Sequence, residues 1–256
     1  MGIAVLFRNL VTPNYFRNCV EDLISFTADF EMTLHIGSGY FSAYTLKKED
    51  FYKLIKKNHK IKKVVIYGGN LDSRFEKDVD RNLLLYSNEN KKDYKDGWNV
   101  NLIWMKNLLE ESDIHTEIRI PKDDINWHAK VAVLQCNNNG NSVAETIGGI
   151  VGSSNLTNHA YMLAPPTFNM EADTFIYNPI YEDYFINALE KIHRTSSSEN
   201  EKNTEQNENT ERIEIIHSQV DTFNKQDEDK FLKEVINSMQ QSTVSIYRYK
   251  NRNYTV

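Results

Sequence analysis

Three short stretches carry side chains whose types and spacing could act on a phosphate group. His128-Ala129-Lys130 reads as part of a strand. Residues two apart on a strand project from one face, so this imidazole and ammonium stand together. Trp127, Ala129, Val131 and Val133 then point the other way, into apolar packing. A cationic row of that kind is awkward in a core and suited to holding an anion. Gly152-Ser153-Ser154-Asn155 ends an apolar run. Two hydroxyls, a carboxamide and free backbone N–H groups at a strand end make an anion cradle. Glu171 opens a third apolar run. A carboxylate near an imidazole fixes its tautomer and favours its protonated form. Each piece alone has an ordinary reading. His and Lys two apart occur by chance, Ser and Asn cap turns and helices, and a single Glu sits at a surface.

The surrounding sequence predicts the elements that would position these groups. Residues 15–28 read as an amphipathic helix, with Phe16, Val20, Leu23 and Ile24 at helical spacing, Thr27 continuing the stripe and Phe26 at its flank. Residues 32–42 read as an alternating strand and a Gly-rich turn, and 46–58 as a second helix. Residues 63–69 are a continuous apolar strand closed by two glycines, the pattern of a buried parallel strand. Residues 98–111 are helical in spacing, and 116–121 form a short strand. Residues 127–134 and 145–152 are strands joined by an Asn/Gly-rich loop, 170–178 is a further strand and 180–193 a helix. Strands alternating with helices predict an α/β sandwich with a mixed, mostly parallel sheet. One domain is expected over 1–195. Residues 196–212 hold five Glu against Lys202 and Arg212 with almost no apolar content, and are expected to be a flexible acidic linker. Residues 213–256 are expected to add a small C-terminal element, most regular over 231–239.

Taken in order, His128-x-Lys130, the GSSN run and Glu171 resemble the HKD motif of the phospholipase D superfamily. That pattern runs HxK, four residues, Asp, then GSxN and a later Glu. The resemblance covers residues 30–194 in architecture. It implies an α-β-α sandwich and assigns functional roles to His128, Lys130, Ser153, Asn155 and Glu171. Two departures stand out: Gln135 occupies the Asp position, and a polar loop lengthens the gap between HAK and GSSN. The resemblance treats that Asp as structural rather than chemical, so its loss alone does not argue against activity, while leaving the weakly catalytic reading open. Two such motifs serve each active site in the superfamily. None of His35, His59, His115, His159, His193 or His217 has a Lys two residues on, so this chain has one. A homodimer with the site on its two-fold axis is therefore implied, joined through the HKD face. Phosphodiester cleavage through a phosphohistidine, without metal or other cofactor, follows from the same resemblance.

Bulk composition narrows the substrate. With 256 residues, 40% hydrophobic, 26% charged and a net charge of -6, the chain suits an α/β domain of ordinary surface. Residues 47–63 hold eight Lys against Glu49 and Asp50, either a solvated helix face or a surface for backbone phosphates. Cys19 and Cys136 are far apart and lack metal spacing. No signal peptide or membrane-length apolar run is visible, so a cytoplasmic protein without membrane attachment is expected. The expected substrate is DNA, with RNA as a lesser alternative, and the leading reading is a DNA endonuclease, a restriction-type enzyme being one form of it. Tyr40, Phe41, Trp127 and Tyr161 flank the motifs and could touch nucleotide or simply pack. The alternatives are a lipid phosphodiesterase and a weakly catalytic nucleic-acid-binding module.

Overall fold

A computed structural model describes residues 2–8, 15–39, 41, 51–68, 98–121, 128–137, 144–156, 158–161, 171–189, 216–219 and 225–245. The strands are β1 (Gly2–Arg8), β2 (Met32–Ser38), β3 (Ile61–Gly68), β4 (His115–Pro121), β5 (Lys130–Cys136), β6 (Glu145–Gly152), β7 (Glu171–Tyr177), β8 (Ile216–Gln219) and β9 (Thr243–Ser245). The helices are α1 (Tyr15–Ser25), α2 (Phe51–Lys57), α3 (Trp98–Glu110), α4 (Asn158–Tyr161), α5 (182–189) and α6 (Lys225–Ser242). A 3-10 turn, Pro179–Tyr181, precedes α5. Tyr40, Trp127 and the expected linker at 196–212 lie outside the described residues.

The strands form one mixed sheet in the order β8-β1-β7-β6-β5-β2-β3-β4-β9. The mixed α/β architecture matches expectation, but the parallel share does not. Only β2–β3 and β3–β4 pair in parallel among the described strands. A parallel step needs a crossover, and α2 and α3 provide the two. Between Lys130 and Tyr177 the described residues hold one short helix, α4, and β5, β6 and β7 run antiparallel. β8 and β9, from the C-terminal segment, pair antiparallel with β1 and β4 at the two margins of the same sheet.

Helices cover both faces. On one, Phe16, Val20, Leu23 and Ile24 of α1 join Phe51 and Ile55 of α2, Leu102, Met105 and Leu109 of α3, and Phe185 and Leu189 of α5. They pack on Leu34, Ile36, Ala132, Leu134 and Phe175. On the other, Leu232, Ile236 and Met239 of α6 pack on Val65, Tyr67, Val131 and Val133. This double covering explains why all seven residues of β2 are buried, where the sequence reading anticipated an alternating strand. The end of α1 also differs from expectation. The helix stops at Ser25, and the Phe26 N–H donates to Leu23 O at 3.3 Å. That turn swings Phe26 into the core, where its ring meets Tyr181 and Tyr184 at 5.1 Å and Phe185 at 5.9 Å, and leaves Thr27 exposed. Asn58 then ties the end of α2 to this turn, donating to Ile24 O and Phe26 O at 2.7 Å each.

Candidate active site

The chemistry-bearing groups gather at one end of the sheet. β2 and β6 finish there, β5 and β7 begin there, and their register places Lys130 opposite Gly152 and Gly152 opposite Asp173. Lys130, Glu171 and Asp173 lie on the same face as Ala132, Leu134 and Phe175, above the larger apolar core.

His128 stands two residues before β5 rather than within it, and is exposed. The expected pairing with Lys130 nevertheless forms. Lys130 Nζ lies 2.8 Å from Nδ1 and 3.2 Å from Nε2 of His128, and donates to the His128 carbonyl at 2.7 Å. Only 5% of Lys130 is exposed. Burial pushes its ammonium below the usual lysine range, and the Glu171 carboxylate partly restores it.

Asn155 reaches the same space from the end of β6. Its Oδ1 accepts from Ser38 Oγ at 3.3 Å, and that hydroxyl in turn accepts from the Leu156 N–H at 2.9 Å. Ser38 escaped the sequence reading. Its signal was modest: a hydroxyl at the last position of a buried strand, just before Gly39. Gly39 is where the pieces meet. A Cβ built there would lie 3.1 Å from Asn155 Oδ1 and 3.9 Å from both His128 Cδ2 and Lys130 Nζ. Four residues from three separate stretches of the sequence thus bound one small volume.

Glu171 and Ser153 form a separate pair. The Ser153 hydroxyl donates to Glu171 Oε2 and accepts from the Ala172 N–H at 3.0 Å. The Ser153 N–H donates to Ala172 O at 3.1 Å. Glu171 is therefore held by Ser153 rather than by the imidazole of its own chain, contrary to the tautomer-fixing role expected of it. Its charge acts on Lys130 instead.

Gln135, at the motif's usual Asp position, points away from this site onto the opposite face. There Gln135 Oε1 lies 3.0 Å from His35 Nε2, and the Tyr67 hydroxyl lies 3.0 Å from His35 Nδ1. A neutral ring with its proton on Nε2 donates to Gln135 and accepts from Tyr67, satisfying both nitrogens. Burial pushes His35 down to about 4. Strand geometry separates Gln135 from Lys130 by roughly 16 Å, so the amide lies well away from this cluster.

Two aromatic candidates pack rather than line the site. Tyr161 is buried between Phe16 and Phe51, with the Arg17 guanidinium 5.0 Å above its ring. Phe41 is 3% exposed and bridges to Leu156. The exposed Lys56, Lys57 and Lys62 fall where α2 ends and β3 begins, at the opposite end of the sheet from His128. Among the described residues no group of three or more His, Cys, Asp or Glu side chains could hold a metal, and no helix is long and apolar enough to cross a membrane.

In motif order and in the strand ends that carry it, the chain resembles the phospholipase D superfamily. No family model matches it, and no curated protein matches it significantly. Among solved structures it is similar to phosphatidylserine synthase of Haemophilus influenzae Rd KW20, with a TM-score of 0.40 and 16% identity. That match covers 75% of this chain and 38% of the other. It is also similar to a mutant of yeast tyrosyl-DNA phosphodiesterase, with a TM-score of 0.32 and 9% identity over 68% of this chain and 30% of the other. The chain spans well under half the length of either. Likeness at this level says nothing of substrate.

Proposed function

We propose that this chain is half of a metal-independent phosphodiesterase, an endonuclease acting on DNA, whose active site is completed by a second copy. The observation that supports it is the convergence of His128, Lys130 and Asn155 on the notch left by Gly39. An exposed imidazole beside a buried ammonium and a carboxamide is a nucleophile set in an anion cradle.

In this reading a neutral His128 attacks phosphorus, a nitrogen–phosphorus bond forms and the bond to the leaving oxygen breaks. The protonated imidazole of the second copy gives its proton to that oxygen. Water then attacks phosphorus and releases His128, and its proton returns to the second imidazole. Splitting one displacement into two lowers each barrier. Lys130 and Asn155 of each copy stabilise the equatorial oxygens, the kind of preorganised interaction that carries most of such a rate. Glu171 of β7, held by Ser153, lends its charge to Lys130.

DNA is preferred to lipid because nothing described near the site is greasy. Among the described residues Ile180 is the large hydrophobic left exposed, at 56%, and it follows the far end of β7. Plasmid DNA incubated with the protein in EDTA should be nicked, and His128→Ala should abolish nicking while remaining folded. Cleavage that requires added Mg²⁺ and persists in His128→Ala would refute the reading. Hydrolysis of phosphatidylcholine vesicles with DNA left intact would replace DNA by lipid as substrate. Light scattering showing a monomer under conditions of turnover would remove the second half-site.

A further inference from the structure

Asp173 lies directly beneath the turn that carries Ser153 and Asn155, and belongs to none of the three motif pieces. It is 4% exposed, and the Ser154 it holds is 1% exposed. Its Oδ1 accepts from the Ser154 N–H at 3.1 Å and its Oδ2 from the Ser154 hydroxyl at 2.6 Å. Gly152 makes this possible. A Cβ on Gly152 would overlap the Asp173 carboxylate outright, and would lie 2.6 Å from the Asp173 Cα and 2.7 Å from Ala172 O. The missing side chain is the space the carboxylate occupies. One carboxylate thus grips the backbone and side chain of the middle residue in the turn, and of the residues on either side of Ser154, Asn155 enters the cradle and Ser153 holds Glu171.

We infer that Asp173 is a positioning residue, setting the Gly152–Asn155 turn so that Asn155 meets Lys130 and His128 and Ser153 meets Glu171. It touches no reacting atom. The inference rests on the phosphodiesterase reading but adds a residue to it. Two anchoring bonds lost from a buried turn free it to shift by a fraction of an ångström or more, and a misplacement near 1 Å can cost on the order of 100-fold in rate.

The test compares Asp173→Asn, Asp173→Ala and Ser154→Ala with the unaltered protein. Two readouts are taken: steady-state DNA cleavage in EDTA and binding of inorganic tungstate, an anion probe. An Asn keeps an acceptor for the Ser154 N–H, and its amide can donate to the Ser154 hydroxyl, so Asp173→Asn should retain most of kcat. Asp173→Ala should lose roughly 10- to 100-fold in kcat with KM changed less than about threefold, and bind tungstate more weakly. Ser154→Ala, which removes one anchor, should fall between. Loss in Asp173→Asn as deep as in Asp173→Ala would overturn positioning, because only the charge would then matter. Full activity in folded Asp173→Ala or Ser154→Ala would overturn it as well. An unaltered protein that neither cleaves DNA nor binds tungstate would instead remove the phosphodiesterase reading, and this inference with it.

Discussion

Acidification should destabilise the fold through one buried ring. His35 is 3% exposed and bonded on both nitrogens, and burial lowers it from an ordinary 6.5 to about 4. The Gln135 carboxamide and the Glu117 carboxylate oppose that fall, while Lys63 adds to it. The sign follows from which state binds the proton. Between about 6.5 and 4 the unfolded chain takes up a proton at His35 that the folded chain refuses. Stability from this group is therefore complete above about 6.5 and is lost as the pH falls towards 4. A shift from 6.5 to about 4 corresponds to about 3 kcal/mol, at about 1.4 kcal/mol per pH unit. That is a large part of a typical domain's 5–15 kcal/mol. The assay is urea denaturation at several pH values from 7.5 to 4, in the unaltered protein and in His35→Gln. Gln can still donate to Gln135 and accept from Tyr67, so the variant should lose stability at neutral pH by no more than a few kcal/mol. Subtracting its curve removes the carboxylate contributions common to both, leaving the slope of His35 alone. Parallel curves for the two proteins across that window would refute the reasoning, since no proton would then be excluded by the fold.

Three further perturbations probe the sheet, two of them at its site end. Gly152→Ala would force a methyl group into the Asp173 carboxylate, so it should destabilise by about 3 kcal/mol or more, read as a fall in Tm. Gly148→Ala, whose nearest neighbour is Ile176 O at 3.2 Å, should be milder in the same melt. Lys130→Met should lower DNA cleavage by 100-fold or more, while leaving Tm unchanged or raised, because the buried ammonium costs desolvation that a thioether does not.

The sequence made β6 and β7 legible almost to the residue, because apolar runs ending in GSSN or beginning at Glu171 have sharp polar limits. α3 was equally clear from its spacing. Pairing direction was not legible. Nothing in the residue types of 130–177 says parallel or antiparallel, because both kinds of pairing accept the same apolar runs. β1 went unread because GIAVLFR is short and sits before an irregular stretch, so it carried no helical or alternating period. The meeting of His128 with Lys130 is expected from strand spacing and forms although His128 lies outside β5, because the two residues are close in sequence. Ser38 and Asp173 could not be found that way. Their roles arise from a turn 118 or 19 residues away, which only tertiary structure reveals. His35 carries no signal in the sequence beyond lacking a Lys two residues on, because its partners sit on two neighbouring strands.

The position of β1 also sets an order of events during synthesis. Its sheet partners are β7 and β8, with Arg8 opposite Glu171 and Gly2 opposite Gln219. At ribosomal speeds of about 5–20 residues per second, roughly 160 residues of chain between β1 and β7 take on the order of 10 s to make. Throughout that interval GIAVLFR has no strand to bond, although β2, β3 and β4 can already assemble. An apolar ribbon left waiting that long presents an unpaired strand edge to whatever other chain is near.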